Sequence, residues 1–439
     1  MPAKKLGLWM VTALVVGNMV GSGIFLLPAS LGPFGGISIV GWLVSAGGAA
    51  LLALVFSRLS RLVKKSGGPY TFTREAFGDF PGFLVAWGYW ISIWTTNAAI
   101  AVAFVSYMTV FWPALGVNSV LAAGLGLVAL WGLTWVNVIG VHTAGVVQLV
   151  TTILKIIPLV VIATAGLFYV SVSNFVPFNA SDQSSFSAIT STVALTLWAF
   201  LGLESGTTPA EHVHEPERTI PRATILGTLG AATVYILGTV AVMGVIPSAE
   251  LATSNAPFAD AAGAMWGSWA VYAVGAGAVV SCFGALNGWL LLQGQIPLAA
   301  ARDGLFPEAF GRISRFDTPA YGLVLSSVLS SVVLLMNYNK GLVEQFTFII
   351  LLATLNTLVP YVFCSLSEIM IALKGGRRVG SFTGLAVISV LAFVFSLWAI
   401  AGAGAEIVYW GFLLLMSGVP VYVSIQRNRA ARGFVGSLS

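Results

Sequence analysis

The sequence predicts an all-α membrane protein with twelve transmembrane helices. Hydrophobic residues make up 58% of the 439-residue chain and charged residues only 8%, against about 25% charged in an ordinary soluble chain. The apolar residues also gather into twelve long runs, and the basic residues gather between them on one side. A folded soluble surface needs far more charge than this. A soluble enzyme, a disordered chain and a nucleic-acid-binding domain are therefore excluded, and the lipid bilayer is the expected surrounding.

The runs fall at about 8–29, 36–58, 82–112, 118–139, 144–171, 187–208, 223–246, 268–300, 319–338, 342–373, 381–401 and 405–425. Each can cross a hydrocarbon core of about 30 Å as a helix, some of them tilted. Helix is the only option, because lipid offers no partner to backbone polar groups. β-Barrel strands would be about ten residues long and alternating, and these runs are neither. Met1-Pro2-Ala3-Lys4-Lys5 before an apolar run resembles a signal peptide. Eleven similar runs follow, so the run is expected to be a retained first span.

Charge placement sets orientation. With the N-terminus cytoplasmic, the inner side carries Lys4, Lys5, Arg58, Arg61, Lys64, Lys65, Arg74, Arg218, Arg222, Arg302, Arg312, Arg315, Lys374, Arg377, Arg378, Arg427, Arg429 and Arg432. Those are 18 of the 20 Lys and Arg. Lys340, in a predicted external loop, and Lys155, inside a span, are the exceptions. The positive-inside rule then places both termini in the cytoplasm, as in a bacterial-type inner membrane. The external loops are short apart from about 172–186 and 247–267, so no separate soluble domain is expected. Cys282 and Cys364 lie inside apolar runs, which argues against a disulfide framework. His142, His212 and His214 form no ligand cluster. No metal and no cofactor are expected.

Two spans are poor helices at their middles. The first reads Val16-Gly17-Asn18-Met19-Val20-Gly21-Ser22-Gly23-Ile24-Phe25, and the sixth reads Trp198-Ala199-Phe200-Leu201-Gly202-Leu203-Glu204-Ser205-Gly206. Each interior Gly costs about 1 kcal/mol relative to Ala. Small residues can also serve close helix packing. However, spans 1 and 6 correspond if spans 1–5 and 6–10 are two repeats, and an odd repeat length inverts the second. Paired Gly-interrupted spans in an inverted repeat point to a transporter's midplane site. A broken helix bares N–H groups at one half-helix start and C=O groups at the other half-helix end. The first attract a carboxylate and the second an ammonium. An α-amino acid carries both.

At these residues the chain resembles the amino acid–polyamine–organocation superfamily, and within it the arginine/agmatine and putrescine/ornithine antiporters. The matching stretches are Gly17 to Pro28, Thr196 to Ser205, Glu215-Pro216-Glu217-Arg218-Thr219-Ile220-Pro221, Gly288-Trp289 and Asp303-Gly304-Leu305-Phe306-Pro307. The resemblance covers nearly the whole chain. It implies a leucine-transporter-like fold: a ten-helix core over 1–373 in two inverted repeats (about 8–171 and 187–373), two peripheral helices over 381–425 and a tail over 426–439. It further implies that Ser22 and Gly23 receive the substrate carboxylate, that Trp198 closes over bound substrate, and that Trp289 and Asn97 meet the distal cationic group. Asn18 is implied near the pocket, with Leu201. Ser92, Ile93 and Ala353 are implied in its wall, where they depart from the arginine/agmatine pattern. Tyr89, Glu204 and Tyr361 are implied as a gating cluster.

Part of this reads from the residues alone. An indole face attracts a desolvated cation by about 1–2 kcal/mol. Trp198 precedes the interrupted stretch by one turn, whereas any other Trp can be packing or an interface anchor. Asn97 lies mid-span and fits either a helix–helix hydrogen bond or a pocket. Glu204 and Lys155 are charges inside spans, where charge is costly and usually functional. A mutual ion pair is one reading. Competition of a proton and a cationic substrate for Glu204 is the other. Lys155 departs from the arginine/agmatine antiporters and stands where sodium-coupled members of the superfamily place a sodium ion. The resemblance thus implies no sodium coupling. Glu211, Glu215, Glu217 and Arg218 form a loop cluster that fits a solvated loop or a cytoplasmic gate. The leading expectation is an exchanger of cationic amino acids and their decarboxylated amines by alternating access. The rival is a proton-coupled carrier of neutral amino acids using Lys155. A membrane enzyme should show clustered His, Asp or Cys and a channel a repeated filter or charged ring, and the sequence has neither. Monomer and homodimer both stay open.

Overall fold

A computed structural model describes residues 6–63, 65, 67–140, 144–207, 213–336, 338–375 and 383–436. Lys4, Lys5, Lys64, His142, Glu211, His212, Arg377 and Arg378 lie outside them, as do the side chains of Ser22 and Arg432. The chain is all helical. In order the elements are α1 (Leu8–Met19), α2 (Ser22–Leu31), α3 (Ser38–Leu62), α4 (Pro69–Phe77), α5 (Asp79–Met108), α6 (Ser119–Val138), α7 (Ala144–Ala165), α8 (Ser185–Leu197), α9 (Pro216–Val245), α10 (Ser248–Leu251), α11 (Pro257–Trp266), α12 (Ser268–Arg302), α13 (Ala320–Met336), α14 (Leu342–Lys374), α15 (Thr383–Ala401), α16 (Ala405–Met416) and α17 (Gly418–Gly436).

Among the described residues, eight helical stretches are long and apolar enough to cross a membrane, with Leu8–Leu62 taken as one stretch. Three shorter apolar helices, Lys155–Tyr169, Ala320–Met336 and Ala386–Ala401, accompany them. Their outer faces carry large exposed apolar side chains such as Trp135, Phe168, Val128, Tyr409 and Phe412. Water would not tolerate so much apolar surface on one chain, and lipid would. This is an integral membrane protein.

Helix α5 is the hub. It is apolar all round, as a fully enclosed helix must be, and nearly every residue from Gly82 to Tyr107 is buried. Its most extensive partners are α14 and α12. A second layer forms where α3 packs on α9 and α8, and α1 packs on α9. Hydroxyls within α5 close locally: Thr95 Oγ1 donates to the Ile91 carbonyl at 2.8 Å and Ser92 Oγ to that of Tyr89 at 2.7 Å. Such back-bonding lets polar side chains sit in an apolar core.

Three elements have no counterpart among the apolar runs. Helix α4 is half polar (Pro69-Tyr70-Thr71-Phe72-Thr73-Arg74-Glu75-Ala76-Phe77) and packs against α5 and α14. Helices α10 and α11 fill the long loop before α12. In that loop burial raises the carboxyl pKa of Asp260, to which Ser254 donates.

The end of the bundle that holds α4, the start of α5 and the end of α12 is fastened by charge. Arg74 Nε donates to Asp79 Oδ1 at 2.8 Å, and Arg74 Nη1 lies 3.8 Å from Asp303 Oδ2. Arg429 of α17 reaches Asp79 at 3.3 Å and the Gly304 carbonyl. Tyr70 donates to Asp303 at 3.1 Å, and burial, then the Asp303 carboxylate, push its hydroxyl well above the ordinary range. The segment Asp303 to Pro307 is thus a tie point between helix ends. The expected tail beyond 425 is helical as far as Gly436.

At the other end Tyr107 joins three elements. Its hydroxyl donates to the Phe25 carbonyl at 2.6 Å and accepts from Phe258 N–H at 3.2 Å. Tyr107→Phe leaves that buried N–H without its acceptor, at about 1–3 kcal/mol. A lower melting temperature of the detergent-purified protein is expected, and unchanged melting contradicts this role.

Candidate functional site

The candidate site lies where two helical segments stop. Helix α1 ends at Met19; Val20 is extended (φ −75°, ψ 94°), Gly21 is extended (φ −137°, ψ −147°), and α2 begins at Ser22. The Val20 N–H still reaches the Val16 carbonyl. The carbonyls of Gly17, Asn18 and Met19 are past the end of the intrahelical ladder. Lys155, fully buried on α7, donates to the Gly17 carbonyl at 2.6 Å. A cation at a helix C-terminus is favoured both by the hydrogen bond and by the helix dipole.

The second stop follows α8. One 3-10 turn, Trp198–Phe200, leads to extended Leu201 (ψ 136°). Gly202 then takes φ +100°, a conformation that only glycine adopts readily. A further 3-10 stretch, Leu203–Thr207, completes the segment. The two stops touch. A Cβ on Gly202 would lie 3.2 Å from Asn18 Cβ, so the last turn of α1 and the second stop are packed side by side.

Between them is a cavity of about 20 Å³, lined by Asn18, Met19, Gly21 and Gly23 from the first stop, Trp198 and Leu201 from the second, Thr96 and Ile100 of α5, and Trp289 of α12. That is room for about one water, so these side chains must part before an amino acid can enter. Trp198 and Trp289 are the largest side chains in that wall. The Trp198 ring packs against Gly23, where a Cβ would come within 2.4 Å of Cζ3. On its far side it meets Phe346 of α14 edge-on at 5.3 Å. Trp198 Nε1 and Thr96 Oγ1 are buried with no hydrogen-bond partner among the described residues.

Glu204 lies one turn past Leu201. Tyr89 Oη donates to its Oε1 and Tyr361 Oη to its Oε2, each at 2.6 Å, and Gly202 N–H donates to Oε2 at 3.2 Å. The carboxyl group thereby ties the second stop to α5 and α14. Tyr361 continues into Phe56 of α3 at 5.4 Å. Lys155 and Glu204 have separate partners: Lys155 serves the first stop and Glu204 the second.

The expected residues therefore divide. Asn18, Gly23, Trp198, Leu201 and Trp289 meet around one cavity. Tyr89, Glu204 and Tyr361 form one hydrogen-bonded cluster. Ser22 opens α2, but its side chain is outside the described residues. Ser92, Ile93 and Ala353 are buried away from the cavity wall. Asn97 Nδ2 donates to Gln293 Oε1 of α12 at 2.7 Å. Met19, Gly21, Thr96, Ile100 and Gln293 were not anticipated. Thr96 adjoins Asn97, and Gln293 is an amide one turn after Trp289 in an apolar run, so both carried a signal.

The arrangement can hold a zwitterion. The uncapped start of α2 offers N–H groups and positive dipole to a carboxylate. The carbonyl end of α1 and two indole faces offer a place for ammonium.

Known proteins resemble this chain throughout. The model of a family described as amino acid permease matches residues 6–425. The chain is 37% identical over 413 residues to a cadaverine/lysine antiporter of Escherichia coli (strain K12), covering 92% of this chain and 91% of that protein. It is 34% identical over 424 residues to the putrescine transporter PotE of the same strain, covering 96% of each. Against the putrescine transporter PotE of Haemophilus influenzae it is 33% identical over 423 residues, covering 96% and 97%. Among solved structures, MhsT in complex with L-phenylalanine superposes with a TM-score of 0.61 over 91% of this chain and 100% of that chain. At 14% identity this is a likeness of fold, and that fold is leucine-transporter-like.

Two substitutions test the geometry. Gly23→Ala puts a methyl into the Trp198 ring and is expected to lower substrate exchange in proteoliposomes about tenfold or more. Undiminished exchange contradicts the contact. Lys155→Ala leaves the Gly17 carbonyl without its cation. The exchange rate is expected to fall about tenfold while half-saturation shifts less than about threefold. A normal rate reduces Lys155 to scaffolding.

Proposed function

The chain belongs to the amino acid permease family, and on that premise we propose that it is an antiporter exchanging cationic amino acids for their decarboxylated amines by alternating access. The observation that carries this reading is the cavity at the two adjoining helix stops, walled by the indoles of Trp198 and Trp289. Backbone dipoles there suit the α-carboxylate and α-amine, and the indoles suit an alkyl-ammonium. The names of the relatives support the same cargo: lysine, cadaverine and putrescine. Of the two rivals the sequence left open, they favour cationic cargo over neutral amino acids.

In this reading the segment from Leu8 to Leu31 is one interrupted span and Ser185 to Thr207 is another. With the three shorter helices the chain makes twelve crossings, of which the last two are peripheral to a ten-helix core of two inverted repeats. The positive-inside rule puts the end fastened by Arg74, Asp79, Asp303 and Arg429 in the cytoplasm, with both termini. Substrate would enter past Trp198 from one side and past the Glu204 cluster from the other. Asn18, Ser22, Gly23, Leu201 and Trp289 would hold it, with Asn97 at the distal end. Ser92, Ile93 and Ala353 would border the site once it widens. Lys155 would do, as a fixed cation, what a sodium ion does between the corresponding helices of sodium-coupled carriers.

The test is counterflow in proteoliposomes loaded with lysine. Cadaverine, ornithine and putrescine are expected to compete with labelled lysine. Competition only by alanine, serine or leucine contradicts the reading. Glu204→Gln is expected to flatten the pH dependence of exchange, because a proton and a cationic cargo then no longer share that carboxylate. An unaltered pH profile removes Glu204 from coupling.

A further inference from the structure

Next to the cavity lies a chain of amides whose polarity is fixed from one end. The fixed end is the Leu323 carbonyl of α13, which can only accept. Gln293 Nε2 donates to it at 3.0 Å and to Ser327 Oγ at 2.8 Å. Ser327 is itself held by the Leu323 carbonyl at 2.9 Å and by Thr134 Oγ1 of α6 at 2.7 Å. With both amide hydrogens of Gln293 committed there, its Oε1 must point the other way. Turning the amide over would set Oε1 against the Leu323 oxygen, two acceptors with no proton between them. The exposed end of Gln293 is thus an acceptor, and Asn97 meets it with its NH2 group at 2.7 Å.

The consequence falls on Asn97. Its nitrogen faces Gln293, so its oxygen faces away. Asn97 and Gln293 are both fully buried, and Asn97 Oδ1 has no donor among the described residues. A buried acceptor without a donor is unfavourable. Asn97 shares a turn of α5 with cavity-lining Thr96 and Ile100, and Gln293 is one turn from cavity-lining Trp289. A group that enters beside them and can donate hydrogen bonds relieves the orphaned oxygen. An ammonium only donates.

We propose that Gln293 is a positioning residue: through the Leu323–Gln293–Asn97 relay it fixes the Asn97 amide with its oxygen toward the cargo, so the distal end of the site selects donor-only end groups and rejects acceptor-only ones. The inference rests on the cation-exchange reading and adds to it the atom that reads the charge. Without Gln293 the Asn97 amide is free to turn over and offer its NH2, and the distinction between donor and acceptor cargo weakens.

The experiment measures competition against labelled lysine counterflow by two unlabelled amino acids of similar length: lysine, whose end group only donates, and methionine sulfoxide, whose end group only accepts. The readout is the ratio of their inhibition constants, which does not depend on the fraction of protein folded. The wild type is expected to favour lysine. Gln293→Met removes the relay at similar volume, and the ratio is expected to fall about tenfold or more. Gln293→Glu, its carboxyl kept protonated by burial and donating to the Leu323 carbonyl, still presents an oxygen to the Asn97 NH2 and is expected to keep the ratio within about threefold. Asn97→Asp presents oxygen in either orientation, so adding it to Gln293→Met is expected to restore the preference. An unchanged ratio in Gln293→Met, or an equal loss in Gln293→Met and Gln293→Glu, overturns the proposal. If the wild type itself exchanges no lysine, the cation-exchange reading fails before this one is reached.

Discussion

Lipid supplies no hydrogen-bond partner to a peptide group, and the rest of the molecule depends on that constraint. A helix that stops inside a membrane protein exposes carbonyls at one side of the stop and N–H groups at the other. Each must be met by protein or cargo. Here the carbonyl of Gly17 is met by Lys155, the N–H of Gly202 by Glu204, and the two stops cover one another where Asn18 packs on Gly202. Lys155 and Glu204 are thereby each tied to an interruption. Charge that would otherwise be a heavy cost in the interior is matched to dipoles that need it.

The surrounding helices make those meetings possible. Helix α5 runs through the centre and carries three separate duties on successive turns: Tyr89 to Glu204, Thr96 and Ile100 to the cavity, and Tyr107 to α2 and α11. Helix α14 brings Tyr361 to one side of the second stop and Phe346 to the other. Both elements are therefore placed to feel any rearrangement of the interrupted segments. The cavity as it stands is too small for an amino acid, and Trp198 lies on Gly23 with no space for a methyl between them. Movement of that ring off Gly23 would enlarge the site.

Much of this was legible in the chain. Apolar runs and the absence of charge announce membrane helices because lipid imposes length and composition together. The stops were legible because Gly21, Gly23 and Gly202 are poor helix formers, the last with Trp198 and Glu204 beside it in sequence. What was not legible depends on contacts between distant segments. Helix α4 mixes polar and apolar residues over nine positions and forms no apolar run. The partner of Lys155 is a backbone carbonyl, which no side-chain pattern reveals. On α5 the cavity faces Thr96 and Ile100, four residues apart on one helix face. Asn97 is turned about 100° from Thr96, toward α12, so its place in the relay appears only when Gln293 and Leu323 are brought to it. Resemblance to a family pointed to residues of which five line one cavity. The orientation of the Asn97 amide depends on contacts between α5, α12 and α13.

The most direct measurement is a cryo-electron microscopy map of the protein in lipid nanodiscs with lysine bound, at a resolution that separates carboxylate from side chain. The expected map has non-helical backbone at residues 20–21 and 201–202, with the lysine carboxylate on the N–H groups that open α2 and the α-amine toward the carbonyl end of α1. Continuous helical winding through either stretch, or a carboxylate held by side chains elsewhere, contradicts the idea that interrupted helices grip the cargo.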